Sequence, residues 1–402
     1  MNIPFFKLDL PQHHLDSVTS AMRSGWLTRG PLCSKFEDHF AEYVGAKYAV
    51  STNSSSMALF ASLLASGVKS NDLVIIPALT FTAVAEAVLL CGAQPILVDS
   101  DPETLQMSKA AVEDAMDWAA ATRGSQRVAA ILPVHYGGLV DSDYVSPREW
   151  ISEDISIVND ASHCLPSYFI EKTTGQRKPI GKLEGMSCYS FYANKCITTC
   201  EGGMITTNDF ALANVVRSIT NHGVTFPENN GAIQSGRHEY DVRYFGLKGT
   251  MPDPLAALGL AQLRDADSYL LRREHIARRY NGRFKGKLAA RLPAESGFEL
   301  SSWHLYAIRL LESRELNHRD RVMRTLAEKG IHTSYHWKPL HLHTSYQRLE
   351  KENRIHVRPT KNIERVWKSL ISLPIYPSLT DLEIDYICDT VLDAVGEIGR
   401  DQ

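Results

Sequence analysis

The sequence predicts an α/β fold, with a large, mostly parallel sheet domain followed by a smaller C-terminal α+β domain. Short β-branched runs alternate with longer helical patterns through about the first 210 residues, the signature of a sheet built by crossover connections. Two of the helical runs stop at a glycine, as helices that end in a left-handed turn do. Past residue 250 the order of patterns changes, which marks a second unit. With 402 residues and roughly 150 residues per domain, about two or three domains fit.

Taken in order, AKYAVS, DLVIIP, QPILVDS, RVAAILPVHY, ISIVND, GMSCYSFY and GGMITTND read as strands, because each is short and rich in β-branched or aromatic residues. MALFASLLASG and TAVAEAVLLCG read as helices closed by glycine. Residues 221–250 are rich in Gly, Asn and Arg and poor in aliphatics, so a long irregular loop is expected there. Asp253 and Pro254 then supply an N-cap and a first-turn proline. The stretch from Pro254 to Phe284 is therefore expected as one helix joining two domains. WHLYAIRL and IHTSYHW are expected as strands and RDRVMRTLAEKG as a helix. The expected division is 1–250 for the large domain and 251–402 for the linking helix and small domain.

Composition narrows the function. At 44% hydrophobic and 22% charged residues the chain matches average globular proteins and departs from disordered, collagenous and coiled-coil classes. The net charge of −3 offers no basic field, so nucleic acid is not an expected partner. Seven cysteines, an odd number without a CxxC pair, suggest reduced thiols and the cytosol. The start, MNIPFFKLDLPQHH, lacks a basic region followed by an apolar run, so no secretory signal is expected. The greasiest segment is interrupted by Pro77 and Glu86, which suits a core better than a membrane.

No GxGxxG occurs, and GQRKPIGKL departs from a P-loop both in its glycine spacing and in having Leu183 where Ser or Thr should hold magnesium. NAD and ATP are accordingly not expected. The most informative window is EGMSCYSFYANKCITTCEGGM, where Lys195 is the only charged residue between Glu184 and Glu201. Desolvation lowers an amine's pKa and makes it a nucleophile toward carbonyls, as a Schiff-base lysine requires. A plain surface lysine at a strand end is the alternative.

Asp160 ends the strand ISIVND, at the edge where open α/β sheets bind ligands. A carboxylate there could keep a pyridine nitrogen protonated; a strand-end or capping aspartate is the ordinary alternative. Thr52, Asn53, Ser54, Ser55 and Ser56 precede a helix, and small hydroxyl residues at a helix N-terminus suit a phosphate. Serine is also a common cap. Phe81 and His135 stand at comparable strand ends, where an aromatic could stack on a flat ring or simply fill the core.

These segments, with SGWLTRGP, PALTFTAVAEAVLLCGAQPILVDSD, PVHYGG, NDASHC, SFYANKCITTCEGGMITTND, MPDPLAALGLAQL, WHLYAIRL and SLPIYP, resemble the DegT/DnrJ/EryC1/StrS family of sugar aminotransferases from about residue 3 to about residue 390. The resemblance implies a fold-type-I, aspartate aminotransferase-like scaffold that uses pyridoxal 5'-phosphate. It implies that Lys195 links covalently to the cofactor, that Ser190 and Ser54 bind its phosphate next to Asn53, and that Asp160 partners its ring nitrogen. His163 would lie near its phenolic oxygen, and Phe81 would stack on its ring. Thr250 stands where many relatives carry an asparagine that reaches the neighbouring subunit's phosphate, so that contact is in question.

The resemblance further implies a homodimer with active sites at the subunit interface, an amino donor such as L-glutamate, and a nucleotide-linked keto-sugar as acceptor. The keto-sugar would be a 4-keto-6-deoxyhexose or a 3-keto sugar. Relatives that replace the lysine with histidine are sugar dehydratases, and Lys195 argues against that branch. Dehydration or deoxygenation, a cyclitol ketone acceptor, and a non-catalytic binding role are the alternatives. His336 resembles family positions near the mouth of the active site. Arg237 and Arg243 could bind a carboxylate or diphosphate. His332, His336, His341 and His343 straddle an expected strand and a proline without acidic partners, so no metal site is expected.

Overall fold

The structure is a computed structural model that describes residues 1–225, 240–293, 299–311 and 317–400. Its centre is an eight-stranded sheet in the order Tyr48–Thr52, Gly203–Thr207, Met186–Ser190, Ser156–Asp160, Val128–Ile131, Leu73–Pro77, Gln94–Val98, His356–Val357. Gly203–Thr207 runs antiparallel to both neighbours. The remaining pairs are parallel. All seven strands expected before residue 210 form, and the strand Leu73–Pro77 is buried at every position, as a sheet covered on both faces requires.

Alternation along that strand explains the two covering layers. Val74 and Ile76 enter the core shared with the helices Ser55–Ala65 and Thr82–Leu90, while Leu73 and Ile75 meet Val112 and Ala115 of the helix Lys109–Thr122. Each such side chain contributes about 1.5–3 kcal/mol by leaving water. A separate core joins Ile276, Tyr280 and Phe284 to Tyr306, Ile308, Ile371 and Ile387 around a three-stranded sheet of Ala290–Arg291, Tyr306–Leu310 and Leu370–Leu373. Ile3 is buried in that same core.

Four sequence expectations are corrected. The single linking helix is two, Asp253–Leu263 and Ala266–Phe284. The first is buried almost throughout, whereas the second is amphipathic and charged, and the break falls where Asp265 accepts from His13 and His14 Nε2 at 3.1 and 2.8 Å. Nor is Asp253 the cap of its own helix. Its carboxylate accepts the backbone N–H groups of Gly30, Leu32 and Cys33 at 2.7–3.0 Å and so caps the helix Pro31–Val44. IHTSYHW forms isolated bridges from Ile331 to Ile3 and from Ser334 to Ser372 instead of a strand. The expected loop at 221–250 contains a small hairpin of Val224–Thr225 with Asp241–Val242; Arg237 lies outside the described residues.

All seven cysteines are free thiols. Among the described residues no helix is long and apolar enough to cross a membrane.

Candidate active site

The carboxyl ends of the central strands open onto a cavity of about 520 Å³. Asp160 ends one parallel strand and Ser190 ends its neighbour, so sheet geometry alone puts both on the rim. Lys195 follows in the return to the antiparallel strand Gly203–Thr207. Its N–H donates to the Tyr192 carbonyl at 2.9 Å, and Phe191 bonds with both Thr199 and Gly202, closing the loop as a hairpin. Phe191 and Ile197 anchor it in a core with Phe36 and Phe40, and Gln262 accepts the Thr198 N–H from below. The loop is therefore rigid, and the lysine it carries is held in the cavity wall.

Burial dominates the electrostatics. It pulls the Lys195 ammonium down to about 8, against the attraction of Asp160 and two nearby thiols. The same burial raises the Asp160 carboxyl, opposed by hydrogen bonds from Ser162 and by the lysine's charge. Asp160 accepts the Ser162 N–H at 2.9 Å. An amine with free base available near neutrality can attack a carbonyl, and the carboxylate beside it can hold a cationic ring nitrogen.

One end of the cavity is a helix N-terminus. Ser54 caps the helix Ser55–Ala65, its Oγ accepting the Met57 N–H at 3.2 Å. Ser54, Ser55, Ser56 and Ser190 all line the cavity, so hydroxyls and the positive helix end face one place, as an anionic group needs. Gly203 permits this arrangement: a Cβ there would stand 2.6 Å from the Ser54 carbonyl. Asn53 is exposed and does not line the cavity. Its N–H instead ties to the Gly249 carbonyl at 2.7 Å, next to half-buried Thr250. Phe81 lines the cavity with 57% of its surface exposed, which leaves its ring free to cover a flat ligand.

The facing wall is made of rings. His163 packs on His304 at 4.3 Å between centroids and stacks on Trp337 at 5.4 Å, while its Nδ1 accepts the Gly137 N–H at 3.2 Å. His336 shares a 2.8 Å hydrogen bond with Ser372. Burial takes His163 and His304 well below the usual histidine range and brings His135 and His336 to about 4, so these rings are neutral at neutral pH. His135 also bonds Asn159 and the Asp141 N–H.

Of the sequence candidates, Lys195, Asp160, His163, Ser54, Ser190, Phe81 and His336 line one cavity. Arg243 does not; it is exposed and bonds Asp241 in the hairpin at 3.4 Å. His341 and His343 also point elsewhere, to Glu364 and the Lys338 carbonyl. The residues missed are His304, Trp337, Asn194 and Glu201, all cavity-lining. His304 sits in WHLYAIRL, quoted for its strand pattern, and nothing local announces that its ring meets a residue at position 163.

The sequence profile of the DegT/DnrJ/EryC1/StrS aminotransferase family matches residues 9–392. The chain is 34% identical over 396 residues to the spore coat polysaccharide biosynthesis protein SpsC of Bacillus subtilis, covering 97% of each. In structure it resembles the PLP form of a putative sugar aminotransferase, Spr1654 of Streptococcus pneumoniae, with TM-score 0.85 and 29% identity over 99% of this chain and 100% of that one. It also resembles PseC of Helicobacter pylori, an aminotransferase of pseudoaminic acid biosynthesis, with TM-score 0.84 and 25% identity over 99% and 100%.

Proposed function

The chain belongs to the DegT/DnrJ/EryC1/StrS aminotransferase family, and from that premise we propose that it moves an amino group from L-glutamate to a nucleotide-linked keto-sugar. It is a sugar aminotransferase dependent on pyridoxal 5'-phosphate. The residues present fit that group: a buried amine, a buried carboxylate, a hydroxyl-lined helix N-terminus and an open aromatic ring share one cavity. The observation that carries the reading is Lys195, a desolvated lysine beside Asp160 on the rim of the sheet.

When bound, pyridoxal phosphate supplies a carbonyl for the lysine and a ring that withdraws electrons from the donor's Cα. Lys195 would hold it covalently through Nζ, and the same amine when free would take the proton from the donor's Cα and deliver it to the former carbonyl carbon, the 1,3-transfer that transamination requires. Asp160 keeps positive charge on the ring nitrogen, and Ser54 with Ser190 hold the phosphate. Phe81 covers one ring face, and His163 orients the phenolic side. Asn53 enters this assignment through its backbone tie to Gly249, because its side chain is turned out. The facing wall of His304, His336 and Trp337 excludes water and borders the acceptor sugar.

We assign a homodimer with active sites at the interface. In support, Phe245 is 95% exposed, and Trp26, Leu27, Tyr244 and Leu247 are further large apolar side chains left open. Exposed Arg243 and, by residue type alone, Arg237, which lies outside the described residues, are assigned to a carboxylate or diphosphate of the acceptor. Division near residue 250 and a cytosolic location belong to this reading, supported by the separate second core and by seven free thiols.

Glutamate added to the purified yellow protein should bleach it and release 2-oxoglutarate. A panel of nucleotide ketosugars, read by mass spectrometry for ketone-to-amine conversion, then identifies the acceptor. A colourless protein, or Lys195→Ala with undiminished turnover, would overturn the assignment.

A further inference from the structure

A second cavity, of about 190 Å³, also has Lys195 in its wall, together with Cys196, Tyr269, Arg273 and Ser378. Segment 6–11 forms part of its lining. Arg273, in the helix Ala266–Phe284, is only 2% exposed. Its Nη1 donates to the carbonyls of Trp303 and Ile375 at 3.2 and 2.8 Å, and among the described residues its Nε has no hydrogen-bond partner. Among the described residues no carboxylate forms an ion pair with it. The Ser378 Oγ, buried in the same lining, also lacks a partner among the described residues.

Two other buried charges meet opposite ones: Arg319, 7% exposed, pairs with Asp320, and Glu37 is met by Arg29 and Arg217. Among the described residues buried Asp253 meets no cation and is held by three backbone N–H groups instead. A guanidinium carries five N–H donors and stays charged at every working pH. Two carbonyl dipoles cover only part of the desolvation that burial imposes, and an anion in an adjoining space covers the rest. Lys7 and Asp9, both exposed, also line the cavity and offset one another. With Lys195 committed to the cofactor in the loaded protein, Arg273 sets its sign.

We infer that this second cavity binds a small carboxylate, held by Arg273 and Ser378 next to Lys195. The carboxylate has two possible sources. One is the side chain of the amino donor, an assignment that rests on the transamination reading; the other is a free carboxylate bound independently of turnover.

Glutarate, a dicarboxylate without an amine, and acetate are titrated calorimetrically into the cofactor-loaded protein. Binding should weaken by about tenfold or more in Arg273→Met and in Ser378→Leu, which fills the cavity from a second position. Arg273→Lys should recover part of it. Failure of both probes to bind the unaltered protein overturns the inference, as does equal binding in folded Ser378→Leu and Arg273→Met. Should Arg273→Met not fold, Ser378→Leu carries the comparison alone. Bleaching by L-glutamate and by L-alanine then separates the sources. A donor site raises the half-saturating glutamate concentration in Ser378→Leu by about tenfold while alanine stays within about twofold. A free-anion site leaves both donors unchanged although glutarate binding is lost. If glutamate bleaches nothing, the assigned donor falls, while the calorimetric result stands or fails separately.

Discussion

Two walls of the main cavity are built on different principles. The strand-end wall presents Asp160, Ser190 and Lys195, each fixed by a backbone position on the sheet or on a hairpin bonded to it. The ring wall presents His163, His304 and Trp337, fixed by side chains packing on one another. The first wall supplies reactive charges, and the second supplies the burial that shifts them. The lowered pKa of Lys195 comes from burial, and the rings that face it across the cavity come from distant parts of the chain.

If this division of labour holds, damage to the strand-end wall should remove chemistry and damage to the ring wall should retune it. The largest effect is expected for Lys195→Ala, with turnover reduced by about a thousandfold or more at an unchanged melting temperature. Release of 2-oxoglutarate measures it. Next, Asp160→Asn should cost about a hundredfold in kcat, because the neutral amide no longer stabilises a cationic ring nitrogen. An Asn variant with full kcat would break the comparison on its strand-end side.

His135 sharpens the contrast, standing beyond the end of the strand Val128–Ile131 and governed by burial. Its ring is neutral when folded, down to about pH 4, whereas in the unfolded chain it takes up a proton below the usual 6.5. The unfolded state therefore binds more protons between those values, so stability is fully present above 6.5 and is lost as pH falls toward 4. This ring alone should account for roughly 3 kcal/mol of that loss. Urea unfolding across the range checks it, and His135→Asn should flatten the slope.

The smallest effect is expected for Trp337→Ala, which opens the ring wall to water. With less desolvation the Lys195 pKa should climb from about 8 toward the ordinary lysine value. The free amine is the form that captures the cofactor's carbonyl, so cofactor uptake by the cofactor-free protein should rise with pH and level off above about 8. In Trp337→Ala that midpoint should move up by about one unit, with roughly tenfold slower uptake at pH 7. A midpoint that stayed put would mean that burial by the ring wall does not set the lysine's pKa.

Legibility in the sequence followed the same divide. Lys195 stood out because a lone charge among small and apolar residues is a local signal, and Asp160 because strand ends can be read from β-branched runs. His304 and Trp337 carry no such signal, since their importance lies in whom they touch. Asp253 is a capping residue, as its type suggests, but for a helix other than the one it begins. Its carboxylate reaches back to Gly30, Leu32 and Cys33 across more than two hundred residues of chain, and periodicity contains no information about that partner.

By itself the sequence determined the alternation of strands and helices, the family resemblance and the residues that bear charge at the sheet's edge. These depend on local propensity, on burial patterns with period two, and on residue types at short spacing. Tertiary structure alone decided that His356–Val357 adds an eighth strand from the far end of the chain, and that the linking helix breaks at Asp265 under two histidines from the N-terminus. It also left Arg273 buried, with no carboxylate partner among the described residues, beside the cavity that contains Lys195. Hydrogen bonds, desolvation and ring contacts act over distances of a few ångströms in space, whatever the separation along the chain.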